Sequence, residues 1–262
     1  MSIAGAFIMP HPPIILPEVG NGEERKIQNT IDACRQAARR IAALKPDTVV
    51  VTSPHTAMYA DYFHISPGEQ AHGDFALFGA PGVGIDAEYD SEFVRTLTDT
   101  AGKAGLPAGT FGEKDPSLDH GTMIPLRFLN EYFTGYRLVR IGLSGLSVLD
   151  HYRLGKCIAQ TAEAVGRKVT FIASGDLSHR LKEDGPYGFA KEGPEFDRQV
   201  TGAMAEGDFL RFLTFRPDFC DAAAECGLRS FIIMAGALDG KSVEPASVLF
   251  RLPAATKAAA ST

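Results

Sequence analysis

The sequence predicts a single α/β domain: a central sheet, mostly parallel or mixed, with helices on its faces. Two observations predict it. Short apolar or β-branched segments alternate with stretches of helical periodicity along 262 residues. Several of the strand-like segments run directly into a loop that carries a histidine beside Pro or Gly. No internal repeat and no linker divides the chain, so one domain is expected over residues 1–253, with a frayed tail over 254–262.

Taken in order, Ile3–Met9 is a short apolar strand. Pro10-His-Pro-Pro13 stops it, because three prolines cannot join a sheet interior. His11 therefore sits on a stiff loop at the strand's C-terminal end. Residues 23–44 have helical spacing, with Ile27, Ile31, Cys34, Ala38 and Ile41 on one face, and Lys45-Pro-Asp47 ends the run. Thr48–Ser53 is β-branched, reads as a strand buried on both faces, and ends in Pro54-His55. Residues 59–84, rich in aromatics, Gly and Pro, read as an irregular excursion lining a pocket or an interface. A helix is expected over 90–104. The loop Asp115-Pro-Ser-Leu-Asp-His-Gly-Thr-Met-Ile-Pro125 carries His120 and opens a helix expected over 124–133.

A strand over 137–143, a helix over 150–166 and a strand over 168–173 follow, the last ending in Ser174-Gly-Asp-Leu-Ser-His179. Residues 184–188 form a turn, and 195–205 and 208–214 are helical. Residues 221–238 carry a carboxylate motif and a helix, and 247–252 read as a last strand.

The composition is that of an ordinary globular protein, 45% hydrophobic and 22% charged. A net charge of -6 with dispersed Lys and Arg draws it neither to nucleic acid nor to anionic membrane. No apolar run approaches the roughly 20 residues that span a bilayer. The apolar N-terminus lacks a basic leader and a cleavage site. Four scattered cysteines with no CxxC pair suggest a reducing, cytoplasmic setting without a disulfide framework.

The chemistry concentrates at Ala222-Ala-Ala-Glu-Cys-Gly-Leu-Arg-Ser230. A lone carboxylate in so small and apolar a run is costly to bury unless a cation or several donors receive it. Glu225 therefore reads as a metal ligand, and Cys226 as a buried thiol. His11, His55, His120 and His179 each stand after a strand or before a helix, at the edge where α/β sheets collect ligands. The competing reading of each is a solvated or capping loop histidine. Asp119 and Asp176 read either as partners that orient an imidazole or as helix caps. Two histidines and a carboxylate suit non-haem Fe(II), and zinc accepts the same donors. HExxH, GxSxG and the P-loop lysine motif are all missing from the chain.

Met9-Pro-His-Pro-Pro13, Ser53-Pro-His55, Leu118-Asp-His-Gly-Thr122, Ser174-Gly-Asp-Leu-Ser-His179 and Ala224-Glu-Cys-Gly227 run in an order that resembles the class III extradiol ring-cleavage dioxygenases, the LigB-like family. Within it the chain looks most like the Memo-related branch, the N-terminal domain of AmmeMemoRadiSam system protein A. The similarity covers roughly residues 3–240.

The resemblance implies a LigB-like fold and iron bound by His11, His55 and Glu225. It implies an acid/base role for His179, and for His120 a role in bonding substrate or oxygen. A catechol-type aromatic and O2 would be the substrates, and a ring-opened semialdehyde the product. A homo-oligomer, at least a dimer, is expected. In Memo proteins a cysteine takes the carboxylate's place, so a metal-binding module without ring cleavage is the alternative. A hydrolase using zinc or another divalent metal is a further one.

Overall fold

Runs too apolar for either face to meet water build the centre of the fold. The computed structural model describes residues 2–246. The chain runs β1 (Ile3–Met9), α1 (Pro17–Gly20), α2 (Gln28–Leu44), β2 (Thr48–Ser53), β3 (Phe63–His64), β4 (Gln70–Phe75), β5 (Ala80–Glu88), α3 (Ser91–Lys103), β6 (Ala108–Gly109), α4 (His120–Asn130), β7 (Arg137–Gly142), α5 (Val148–Ala164), β8 (Val169–Ser174), α6 (Glu192–Glu206), α7 (Pro217–Ala223) and α8 (Leu228–Ala237).

Four strands form one sheet in the order β1-β8-β2-β7, every pair parallel. The chain steps from β1 across one place to β2 through α2, and steps back from β7 across one place to β8 through α5. Right-handed crossovers taken in opposite directions put their helices on opposite faces. The cores agree: Ile31, Cys34 and Ile41 of α2 join one apolar cluster with Val49, Val51 and Ile172. Leu154 and Ile158 of α5 join the other with Val50, Phe171 and Ile232. The helical face expected from Ile27 to Ile41 is buried as read, although residues 23–27 form a 3-10 turn ahead of α2.

The excursion over 59–84 is more regular than expected. It contains β3, which pairs with β6, and an antiparallel ribbon of β4 and β5. Phe63 and Phe75 lie in the core, while Leu77 at the ribbon's tip is 95% exposed. Helix α4 begins at His120, four residues before the expected start, because Asp119 caps it: Asp119 Oδ1 accepts from the Thr122 N–H at 3.0 Å. The segment over 208–214 is a 3-10 turn. The last strand expected over 247–252 and the tail over 254–262 lie outside the described residues. No helix among the described residues is long and apolar enough to cross a membrane.

Register fixes where the loops meet. Met9 of β1 stands beside Ser174 of β8, Thr52 of β2 beside Ala173, and Ser53 beside Gly142 of β7. The four strands therefore end level, and the loops that follow β1, β8 and β2 are neighbours at the carboxyl edge of the sheet.

Candidate metal centre

Each loop delivers one histidine to that edge. His11 is buried, and its Nε2 lies 3.0 Å from Nε2 of His55. The His120 ring stands 4.0 Å from that of His55 and 5.6 Å from that of His11, centroid to centroid. His179 lies beyond, its Nε2 3.5 Å from Asp176 Oδ2.

Local structure sets the proton on His11. Pro125 has no N–H, so the Gly121 carbonyl four residues earlier in α4 lacks its helical partner. Ser174 Oγ donates to that carbonyl at 2.5 Å. The Ser174 hydroxyl has one proton, so toward His11 Nδ1, 2.8 Å away, it can only accept. Nδ1 therefore carries the hydrogen, and the Nε2 lone pair is left facing His55. On the neighbouring strand, the His55 N–H donates to Ser53 Oγ at 3.2 Å, and Ser53 Oγ donates to Asp119 Oδ1 at 2.5 Å. Gly121 permits this approach: a Cβ there would stand 2.4 Å from Ser53 Oγ. The buried Arg140 holds the incoming loop, donating to Ser117 O at 2.5 Å and to Ser66 Oγ at 2.7 Å.

The third side comes from the turn between α7 and α8. Gly175 and Gly227 touch backbone to backbone: a Cβ on Gly175 would lie 2.2 Å from Gly227 Cα. Ala224 adopts a left-handed φ of 50°, and its carbonyl takes His179 Nδ1 at 2.5 Å. This packing brings Cys226 to the centre, next to the expected Glu225 in the same turn. Cys226 Sγ lies 3.7 Å from His11 Nε2 and accepts from the Asp176 N–H at 3.3 Å. Among the described residues, His11, His55 and Cys226 form one set whose donor atoms lie within 4.8 Å of one another, and Asp176, His179 and Cys226 form a second. Glu225 belongs to neither set, and one of its carboxylate oxygens accepts from the Leu228 N–H at 2.6 Å. The physical reason is the cap: the first amides of α8 are unpartnered, and Glu225 is placed to receive one.

Electrostatics separates the histidines into two kinds. Burial, then the field of His11, pushes His55 down to about 4. Burial, then the His55 and His11 rings, pushes His120 down to about 3. Both are uncharged at neutral pH, with a lone pair to offer. Burial opposes charge on His179 as well, but the bonds to Asp176 and to the Ala224 carbonyl outweigh it and raise its pKa. Burial alone would raise Asp176, yet the His11 ring and amide together with His179 hold it at about 2. Burial raises both Glu225 and Cys226, the thiol strongly.

The donor set fits a divalent metal. Two ring nitrogens each about 2.1 Å from a shared ion, at about 90° to one another, stand ~3.0 Å apart, which is the His11–His55 separation. A thiolate at Cys226 or the Glu225 carboxylate would complete three ligands, and the ion's charge would favour the ionised form of either. Reading the sequence alone missed Ser174 and Ser53. Their signal was position, since each is the last residue of a strand that opens a histidine loop.

Comparison with known proteins follows the same line. The protein CA_C1420 of Clostridium acetobutylicum is 36% identical over 257 residues; the match covers 92% of this chain and 53% of that one. The chain thus spans about half the length of that relative. A 3,4-dihydroxyphenylacetate 2,3-dioxygenase of Escherichia coli is 26% identical over 250 residues, covering 88% of this chain and 89% of the other. The crystal structure of the uncharacterized protein JW3007 from Escherichia coli shares the fold, with a TM-score of 0.53 at 14% identity over 79% of this chain and 82% of that one. Residues 5–260 match the family described as the catalytic LigB subunit of aromatic ring-opening dioxygenase. The chain belongs to the LigB family.

Proposed function

We propose that the protein opens the ring of a catechol-type aromatic with O2 at an Fe(II) centre, cleaving beside the diol. One observation carries the reading: the convergence of the His11 and His55 Nε2 atoms at 3.0 Å, with the His11 tautomer set by Ser174. His11 and His55 would hold the metal, with the third ligand from the turn that carries Glu225 and Cys226. When bound, the metal supplies the charge that favours the ionised diol and a centre through which oxygen is activated.

The chain's own residues supply the rest. His120, uncharged, lies against His55 and offers a hydrogen-bonding nitrogen to a diol or oxygen atom. His179 holds a proton at Nδ1 against the Ala224 carbonyl, and Asp176 supports a second at Nε2. That second proton is the one to be given and taken back near neutral pH. Asp176 also accepts the His11 N–H at 3.0 Å, so one carboxylate fixes the metal loop and the acid/base residue together.

The test is oxygen uptake by Fe(II)-loaded protein across a panel of catechols, with the absorbance of a ring-opened semialdehyde followed in parallel. Uptake matched by that product supports the reading, and a loaded protein that consumes no oxygen with any catechol overturns it.

A second reading is favoured by Cys226. A thiol whose sulfur lies with His11 and His55 suits a Memo-like metal-binding module without ring cleavage. Metal titration of Glu225→Gln and Cys226→Ser separates the two. Loss of metal only in C226S, with no oxygen uptake, favours the module.

A further inference from the structure

The contacts around the centre form one connected cluster with an aromatic side chain at two of its margins. Phe78 meets His120 at 5.1 Å between ring centroids, with planes 71° apart. His120 meets His55, and His55 meets His11. Cys226 and Asp176 lead on to His179, and the His179 ring meets Tyr187 at 5.1 Å with planes 37° apart.

The two aromatics come from excursions that the sheet does not need. Phe78 ends the 3-10 turn between β4 and β5. Tyr187 rides a short loop closed by a Leu181–Phe189 bridge and by the Ala190 N–H donating to Arg180 O at 3.2 Å. Tyr187 is 55% exposed, and its hydroxyl makes no hydrogen bond among the described residues. An aromatic ring is thus held at a polar, histidine-lined centre with much of its surface bare. Aromatic pairs are favourable offset or edge-on at centroid separations of ~4.5–7 Å, so a planar ring entering beside His179 would cover the surface that Tyr187 leaves open.

We propose that Tyr187 is a specificity-determining residue that packs against the ring of a planar aromatic diol bound at the His11–His55 centre, while Phe78 bounds the same slot at the His120 end. The inference rests on the ring-cleavage reading and adds how the site prefers an aromatic diol to an aliphatic chelator of the same bite.

The experiment is an anaerobic titration of Fe(II)-loaded wild type, Tyr187→Ala, Tyr187→Phe and Phe78→Leu. One probe is 4-nitrocatechol, followed by its visible absorbance; the other is oxalate, followed by competition. Iron content is measured for each protein. Y187A should weaken 4-nitrocatechol about 3- to 10-fold, the range expected for an aromatic contact. Y187F should stay within about twofold of wild type, F78L should weaken the catechol, and oxalate should bind all four alike. Equal 4-nitrocatechol affinity in wild type and Y187A overturns the proposal. So does an equal loss for both probes, which would mean that Tyr187 only props His179. A loaded wild type that binds no 4-nitrocatechol overturns the ring-cleavage reading and this inference with it.

Discussion

Replacing Gly175 by alanine tests how the third side of the centre is assembled. Gly175 follows β8, and the Cβ it lacks would stand 2.2 Å from Gly227 Cα and 3.2 Å from both Gly227 N and Phe231 Cε1. Ordinary contact begins near 3.4 Å, so the two loops must part by about 1.2 Å, with backbone on both sides and no flexible side chain to give way. Overpacking of this kind costs about 1–3 kcal/mol. For a chain of this size each kcal/mol lowers Tm by about 2–4 °C, so a fall of roughly 2–12 °C is expected.

The same displacement carries Glu225 and Cys226 away from His11, so Co(II) should bind more weakly as the third side of the centre moves off. Thermal melts and Co(II) titrations of G175A read both effects. Gly202→Ala is the control: it lies within α6, a Cβ there meets nothing within 4 Å, and the exchange should leave stability unchanged or higher. A G175A protein that melts within about 1 °C of wild type and binds Co(II) equally well would refute the reasoning.

Other perturbations separate the remaining roles. Ser174→Ala removes the acceptor that fixes the His11 tautomer, and metal affinity should fall about 10- to 100-fold; unchanged affinity would contradict the hydrogen-bond argument. His179→Ala should retain metal while turnover falls about 10²–10⁴-fold, whereas equal loss of metal would reassign His179 to the ligand set. The raised pKa of His179 stabilises the fold fully below the ordinary imidazole pKa, and that share is lost as pH rises through the raised value. Urea melts should therefore show the gap between wild type and His179→Gln narrowing from pH 6 to pH 9, and a widening gap would reverse the assignment. Burial pushes Asp197 up to about 6 despite its bond from the Ser178 N–H. Its carboxylate therefore destabilises the fold at pH 7, and wild type should gain stability as pH falls through about 6. Asp197→Asn, which can still accept that N–H, should be more stable at pH 7 by on the order of 1 kcal/mol; lower stability would count against it.

The sheet was readable because its signal is local. Thr48–Ser53 and Val169–Ser174 are buried throughout, and a run that is apolar or β-branched on both faces has few places to go but the middle of a sheet. The meeting of His11, His55, His120 and His179 was readable for the same reason, since each adjoins a strand end or a helix start. The β4–β5 ribbon was hidden by Pro81, Gly82 and Gly84, which break the alternation of β5, and by Gly73 within β4, although β4 itself alternates between exposed and buried residues. The start of α4 was hidden by Gly121 and Pro125, which look like breakers, whereas the Asp119 cap overrides them and Pro125 frees the carbonyl that Ser174 needs. Choosing between Glu225 and Cys226 was beyond the sequence. Gly175 and Gly227 touch although 52 positions apart in the chain, and Ala224 is left-handed without being glycine, so the donor presented depends on packing that no local pattern encodes.

The most direct test of the central claim is electron paramagnetic resonance of the anaerobic, Fe(II)-loaded protein with nitric oxide, recorded with and without a catechol. A centre held by His11, His55 and one further residue leaves positions open for a diol and a gas together. The account predicts a high-spin iron–nitrosyl signal that changes shape when the catechol is added. A signal indifferent to every catechol, or no nitrosyl signal from fully loaded protein, would contradict it.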